Sequence, residues 1–410
     1  MKRTFFSSCI SLLLLGSCTD RQEGGASNVI DIEGALENAA AFTVSDFGKT
    51  VRYVPLETTD DCLIGGDPKF KVLRNCIVVE SQSCLLFDKN DGHFIAEIGH
   101  AGQDPEAFSG PLSIADGREE FLYFRHMPDR LVKYDMKGDF RGSVTMASPP
   151  GLPNFSFITD SAIIGYYTEL SNPGNTMLAV FDRDGAMRDT IPPFVPRKDF
   201  ATNDITRLSF LFNEPVYGNL SVWGVFIIDY KDGRKQIMPV GNTPFREING
   251  EIRFWEMFTD TIYTVTRGEL LPSIAFNTGK WRWPADEKTD RDHSGNRILV
   301  TDVAENGAFV FFQCIRGLFT DGQVIYNGLY DKETGETRLA AASDAIRDDL
   351  TDFMPFRPLS IATSGEFVSF AEAADIVEWL EEHPEAKGNA KLAFLKDLDA
   401  DMNPVVILVE

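Results

Sequence analysis

Between Leu85 and Val144 the chain alternates short apolar runs with turn-forming residues. Phe87-Asp88 opens the stretch FDKNDG, whose glycine is Gly92, and Tyr134-Asp135 opens YDMKGD, with Gly138. The same signature recurs as FDRDGA, IDYKDG, YTVTRG and YDKETG, with Gly185, Gly233, Gly268 and Gly335. Asp with Gly or Asn supplies a turn and its positive-φ position, while alternating apolar residues bury one face of each flanking strand. One copy predicts a hairpin. Six copies predict a repeat.

The signature glycines are spaced by 46, 47, 48, 35 and 67 residues. A period of roughly 40–50 residues with about four strands is the size of a β-propeller blade. A single blade leaves an apolar face uncovered, so neighbours must stack, and closing the ring removes the sheet edges. The expected fold is therefore all-β, a six-bladed β-propeller with short C-terminal helices. The count becomes seven if the N-terminal strand near Val51–Leu56 contributes its own blade, and five if the Gly233 copy is not a blade. Residues 370–383 place Ala373, Ile376, Val377 and Leu380 at helical spacing, and Pro384 stops that helix. A helical insertion over about 370–398 is expected, followed by a closing strand at 404–409. The domain reading is thus 1–17 leader, 18–40 anchor and tether, and 41–410 propeller.

The N-terminus changes the picture. Lys2 and Arg3 precede an apolar run from Phe5 to Leu15 that is too short to span a bilayer. It ends in Leu15-Gly16-Ser17-Cys18, which resembles a bacterial lipobox. The resemblance implies that Cys18 becomes the lipidated first residue, held at the outer membrane on its periplasmic or surface face. The segment TDRQEGGASN after it reads as a flexible tether. Formal charge is 39 − 62 = −23, or 37 − 62 = −25 without Lys2 and Arg3. Such a balance repels phosphate backbones and argues against nucleic acid. Of the remaining cysteines, Cys62, Cys76, Cys84 and Cys314, the spacing selects no pairing and gives no zinc pattern, so buried free thiols are expected.

Ile98-Gly99-His100-Ala101-Gly102-Gln103-Asp104-Pro105-Glu106-Ala107-Phe108, with Pro111 beyond, resembles the segment between blades of NHL repeats, although Asp104 and Ala107 stand where glycines are usual. VRYVPLETTDDCLIG, DTIYTVTRGELLPSIAFNTGKWRWP and DADMNPVVILVE resemble the six-bladed β-propeller lipoproteins of Bacteroidetes, of NHL/TolB-like type. That resemblance implies a fold and an envelope location, and carries no assigned activity.

Candidate chemistry is sparse. Asp397, Asp399, Asp401 and Asn403 alternate like the start of a calcium loop, but Met402 and Leu408 occupy its required Gly and Glu positions. Asp88, Asn90 and Asp91, and Asp182 with Asp184, lie in hairpin turns where such side chains bond local backbone. No metal or cofactor is expected. His93, His100, His126, His293 and His383 are dispersed, and no G-x-S-x-G element occurs. Strand ends facing a propeller channel single out Glu80, Arg125 and His126 as ligand-binding candidates. Trp281-Arg282-Trp283, the densest aromatic and cationic cluster, is a second candidate for gripping a sugar ring or partner. The reading is a non-enzymatic, lipid-anchored module that binds an envelope protein, glycan or peptide. A metal-assisted hydrolase or lyase using the channel, and a structural subunit of a surface complex, are the alternatives.

Overall fold

A computed structural model describes residues 25–410 except 67, 148–153, 160–161, 168–176, 192–203, 213–223, 241–243, 249, 257–258, 267, 285–286 and 288–294. The leader and Cys18 lie outside the described residues. Seven sheets, all built on antiparallel hairpins, account for the strands. In chain order we label them I (69–97), II (113–145), III (154–191), IV (205–240), V (245–277), VI (298–341) and VII. Sheet VII joins both ends of the chain: Val51–Pro55 pairs with Val405–Val409, which pairs with Phe367–Ala371 and then Ser360–Ile361. Sheets I, II, III, VI and VII have four strands, and sheet IV has three. Sheet V has five, because Asn28–Asp31 adds in parallel to Leu270–Asn277.

Each signature falls in a different sheet from I to VI, between the third and fourth strands or their equivalents. Sheet VII has none. Its third and fourth strands are the C-terminal and N-terminal strands, so no turn connects them and nothing in the repeat marks it. Seven sheets therefore stand where the signatures count six.

The sheets do not all occupy equivalent places. Six buried clusters lie between sheets in cyclic order. Val78 and Leu86 of sheet I meet Leu122 and Val132 of sheet II, and Tyr123 and Leu131 of sheet II meet Ile163 and Phe181 of sheet III. Ile164 and Tyr166 of sheet III then meet Phe245 and Phe254 of sheet V, not sheet IV. Sheets V and VI share a cluster with Ile262, Ile274, Val310 and Phe312. Phe311 and Leu329 of sheet VI pack with Phe367 and Val405 of sheet VII. Val54 and Val406 of sheet VII return to Ile77 and Leu85 of sheet I. Sheet IV keeps a small cluster of its own, around Ile228 and Tyr230, and sends Ile237 to the V–VI cluster.

Local chemistry explains the signature turns. The aspartate accepts hydrogen bonds from backbone amides two to four residues ahead: Asp88 from Asn90 at 2.7 Å, Asp135 from Lys137 at 2.9 Å, Asp182 from Ala186 at 2.9 Å and Asp331 from Glu333 at 2.8 Å. These carboxylates satisfy turn amides, the usual use of Asp at such positions. Gly185, at φ +84°, also packs tightly: a Cβ there would stand 2.1 Å from the Thr145 carbonyl oxygen of sheet II. At Gly92 the same atom would meet the Pro55 oxygen of sheet VII at 2.0 Å. The turn thus touches the outer strand of the preceding sheet.

Near the C-terminus a helix runs from Ala373 to Glu382, burying Ala373, Ile376 and Leu380, and 3-10 turns follow at Pro384–Gly388 and Ala390–Lys396. They pack under sheet VII, where Phe353 and Phe394 pack on Tyr53 and Trp379 packs on Phe353. Asn403 is a structural brace, donating to the carbonyl oxygens of Glu57 at 2.6 Å and Cys62 at 2.9 Å. Cys62, Cys76, Cys84 and Cys314 are buried free thiols. Burial pushes Cys76 and Cys314 up to about 12, so neither is an ionised nucleophile at neutral pH. No helix among the described residues is long and apolar enough to cross a membrane.

Candidate ligand cavity

The first strands of six sheets converge on one cavity of about 670 Å³, with Lys71, Ser113, Phe155, Arg246, Val303 and Ser360 as one lining residue from each of sheets I, II, III, V, VI and VII. Both ends of several strands contribute, for example Lys69 with Val72 and Phe245 with Ile248, so the cavity runs along the strands. Sheet IV supplies no lining residue among those described.

Glu80 and Arg125 both line the cavity, from the ends of the second strands of sheets I and II. Their roles differ. Glu80 is buried and accepts from Lys71 Nζ at 2.9 Å, from the Ser113 amide at 2.7 Å and from Ser113 Oγ at 2.6 Å. It is a satisfied brace between sheets I and II, since a buried carboxylate needs such partners. Arg125 donates to Asn154 Oδ1 at 2.5 Å, bridging sheets II and III, and burial depresses its pKa.

His126 does not line the cavity. It is buried with Nδ1 2.6 Å from the Ala107 carbonyl oxygen, because alternation along the strand turns it to the face opposite Arg125. The Trp281-Arg282-Trp283 cluster is also elsewhere, and it is not a strand. Gly279–Trp281 is a short 3-10 turn after sheet V. Trp283 is buried in the V–VI cluster, Trp281 packs beside it under Lys280, and Arg282 is exposed 4.0 Å from Asp260. These tryptophans cover the core of sheet V and are not brought to the cavity wall.

The wall holds a residue with no counterpart among the sequence candidates. Arg246 is the second residue of the first strand of sheet V, half-buried, with its guanidinium 5.7 Å from the Trp255 ring. Burial lowers its pKa, against a smaller opposing pull from Asp302 and Glu305. Its signal in the sequence is the Asn249-Gly250 pair between FREI and EIRF, a strong hairpin marker that lies off the signature register. The lining side chains among the described residues include four cations (Lys69, Lys71, Arg125, Arg246) and three carboxylates (Glu80, Glu247, Glu305). In a chain of net charge −23 that is a local reversal of sign. Among the described residues no cluster of three or more His, Cys, Asp or Glu is placed to hold a metal ion.

A family model described as a domain of unknown function, DUF4934, matches residues 27–410. The chain belongs to the DUF4934 family. No curated protein matches it. This DUF4934 chain is similar in structure to a Bacteroides fragilis NCTC 9343 protein assigned as exported, with a TM-score of 0.61 at 14% identity, covering 93% of this chain and 99% of that one. At that identity the likeness speaks for the fold alone, the all-β arrangement of antiparallel sheets described above. The WD40 repeats of RRP9 align at a TM-score of 0.39 and 9% identity, over 90% of this chain and 99% of that one, too loosely to carry weight.

Proposed function

We propose that this DUF4934 protein is a six-bladed β-propeller whose central cavity binds a ligand without transforming it, held at the cell envelope by lipid on Cys18. The observation that carries the reading is the cyclic order of the buried clusters, I–II–III–V–VI–VII–I, around one cavity. On this reading sheets I–III and V–VII are the blades, the two chain ends close the ring in sheet VII, and sheet IV stands outside it. The lipobox-like leader supports the address. Binding is favoured over catalysis because the polar groups with clear roles on the wall, Glu80 and Glu305, are committed to bracing. Glu305 holds Lys332 Nζ at 2.7 Å, as Glu80 holds Lys71.

Gly110 offers a clean test. It lines the cavity, and a Cβ added there meets nothing within 4 Å, so a larger side chain leaves the backbone there without a clash. On glycan, peptide and organic-acid arrays the unaltered protein should retain a ligand that Gly110→Trp loses, with the far-UV circular dichroism of both unchanged. Retention unaffected by Gly110→Trp, or consumption of the retained compound, overturns the reading. For the anchor, labelling in cells with an alkyne fatty acid should mark the protein and be lost in Cys18→Ser.

A further inference from the structure

We infer that the cavity takes a small organic anion with an apolar body, its acid group held by Arg125 and Arg246 and its body lying against Leu112 and Met127. The inference rests on the cavity being the binding site, and it adds the ligand's chemical class.

Both arginines sit at the same end of the cavity, and the hydrogen-bond register shows it. Arg125 donates to Asn154, the first residue of sheet III. Asn154 pairs with Tyr166, whose hydroxyl donates to Glu256. Glu256 follows Phe254, which pairs with Phe245, the neighbour of Arg246. The apolar groups share this end. Ser113 pairs with Phe124, which brings Leu112 beside Arg125 and Met127. Leu112 is 52% exposed and Met127 51%, yet both belong to the cavity lining. Large apolar side chains left open at the mouth of a cationic cavity suit a ligand with an apolar part.

Among the described residues neither guanidinium pairs directly with a carboxylate, and Asp302 and Glu305 act on Arg246 only as a longer-range pull. Arg125 has the neutral amide of Asn154, and Arg246 has the Trp255 ring. Of the two carboxylates whose charge reaches Arg246, Asp302 and Glu305, Glu305 is already engaged by Lys332 at 2.7 Å and Arg253 at 3.4 Å. Glu247 also lines the cavity, but burial, and next the Glu119 charge, push its pKa up and disfavour its ionised form. A half-buried guanidinium without a direct ion-pair partner is unfavourable, and an incoming acid group supplies one with bidentate geometry.

Calorimetric titration of the purified full chain with decanoate and with decanamide tests this, because the two probes share a body and differ in charge. Decanoate should bind with one-to-one stoichiometry and decanamide about tenfold or more weakly. Arg246→Gln and Arg125→Gln should each weaken decanoate by about tenfold or more, Arg246→Lys should keep most of the affinity, and Arg282→Gln, outside the cavity, should change nothing. Should Arg125→Gln fail to fold, the Arg246 pair decides. Equal binding of the two probes, or Gln variants with unaltered decanoate affinity, overturns the anion inference. The cavity reading then still stands if Gly110→Trp abolishes that binding. If neither probe binds, the inference falls and the cavity reading is judged on the arrays alone.

Discussion

Sheets III and IV carry the same turn signature and sit differently in the molecule. In sheet III the turn glycine, Gly185, presses on the Thr145 carbonyl of sheet II, and the sheet's faces pack against sheets II and V. In sheet IV Gly233 has the same left-handed backbone, φ +86°, but a Cβ there would meet nothing within 4 Å, and the sheet's first strand leaves Leu208 55% exposed. The motif specifies a hairpin. Stacking comes from the apolar faces and from what the turn touches. Gly335 of sheet VI sharpens the point: it too meets nothing, and there the added strand Asn28–Asp31 makes the contact instead, through the Asp31 amide and Thr337 Oγ1 at 3.1 Å.

The lysine within the signature turn gives the largest expected contrast. Lys89 is buried and reaches from sheet I to Glu366 and Ser364 of sheet VII, both at 2.6 Å. Lys231 of sheet IV lies 3.5 Å from Asp204, with side chains 64% and 57% exposed. Lys89→Ala should cost up to about 3–5 kcal/mol, since it strands a mostly buried carboxylate. Lys231→Ala should cost less than about 1 kcal/mol. Urea unfolding of both variants measures the difference, and comparable losses would show that sheet IV is as integrated as sheet I.

Next come the glycines. Gly185→Ala combines left-handed strain with overlap on the Thr145 oxygen, an expected loss of about 2–5 kcal/mol. Gly233→Ala meets only the strain, about 1–2 kcal/mol. Equal unfolding midpoints for the two would break the distinction between a packed and an open turn.

A smaller effect is expected with pH. Burial alone raises the Glu366 pKa, but hydrogen bonds from Lys89 and Ser364 outweigh it and leave the carboxyl below its ordinary value. A carboxyl with a depressed folded pKa contributes stability that is present above the unfolded value, about 4.3, and lost as pH falls through the folded one. In Lys89→Ala burial is opposed only by Ser364 and a backbone hydrogen bond, the pKa rises, and acidification relieves part of the cost. The stability gap between the two proteins should therefore narrow as pH is lowered from 7 to 4 in denaturant titrations. A gap that stays constant would place Glu366 outside the pair.

Much of the fold was legible in short-range pattern. Asp-to-Gly turns and alternating strands are local, so their positions could be read from residues such as Asp88, Gly92, Asp182 and Gly185. The place of each hairpin was not legible in that way. The signature count reached six by including sheet IV and missing sheet VII, whose strands come from opposite ends of the chain. Of the cavity wall, Glu80 and Arg125 could be picked out as polar groups ending apolar strands. His126 could not be separated from Arg125 without knowing which face of the strand turns inward. The Trp281-Arg282-Trp283 cluster drew notice by composition, and its tryptophans proved to cover a core. Arg246 was hidden because the 35-residue interval from Gly233 to Gly268 breaks the period on which position was judged.

The sequence by itself determined the hairpins, the all-β class and the acidic balance of the chain, because turn chemistry, alternation and charge act within a few residues or over the whole molecule. Only the tertiary structure decided that sheet III packs on sheet V, that Val51–Pro55 meets Val405–Val409, and that Arg125 and Arg246 share one end of a cavity. Those contacts join residues tens to hundreds of positions apart, and apolar faces of similar pattern do not name their partners until the strands are stacked.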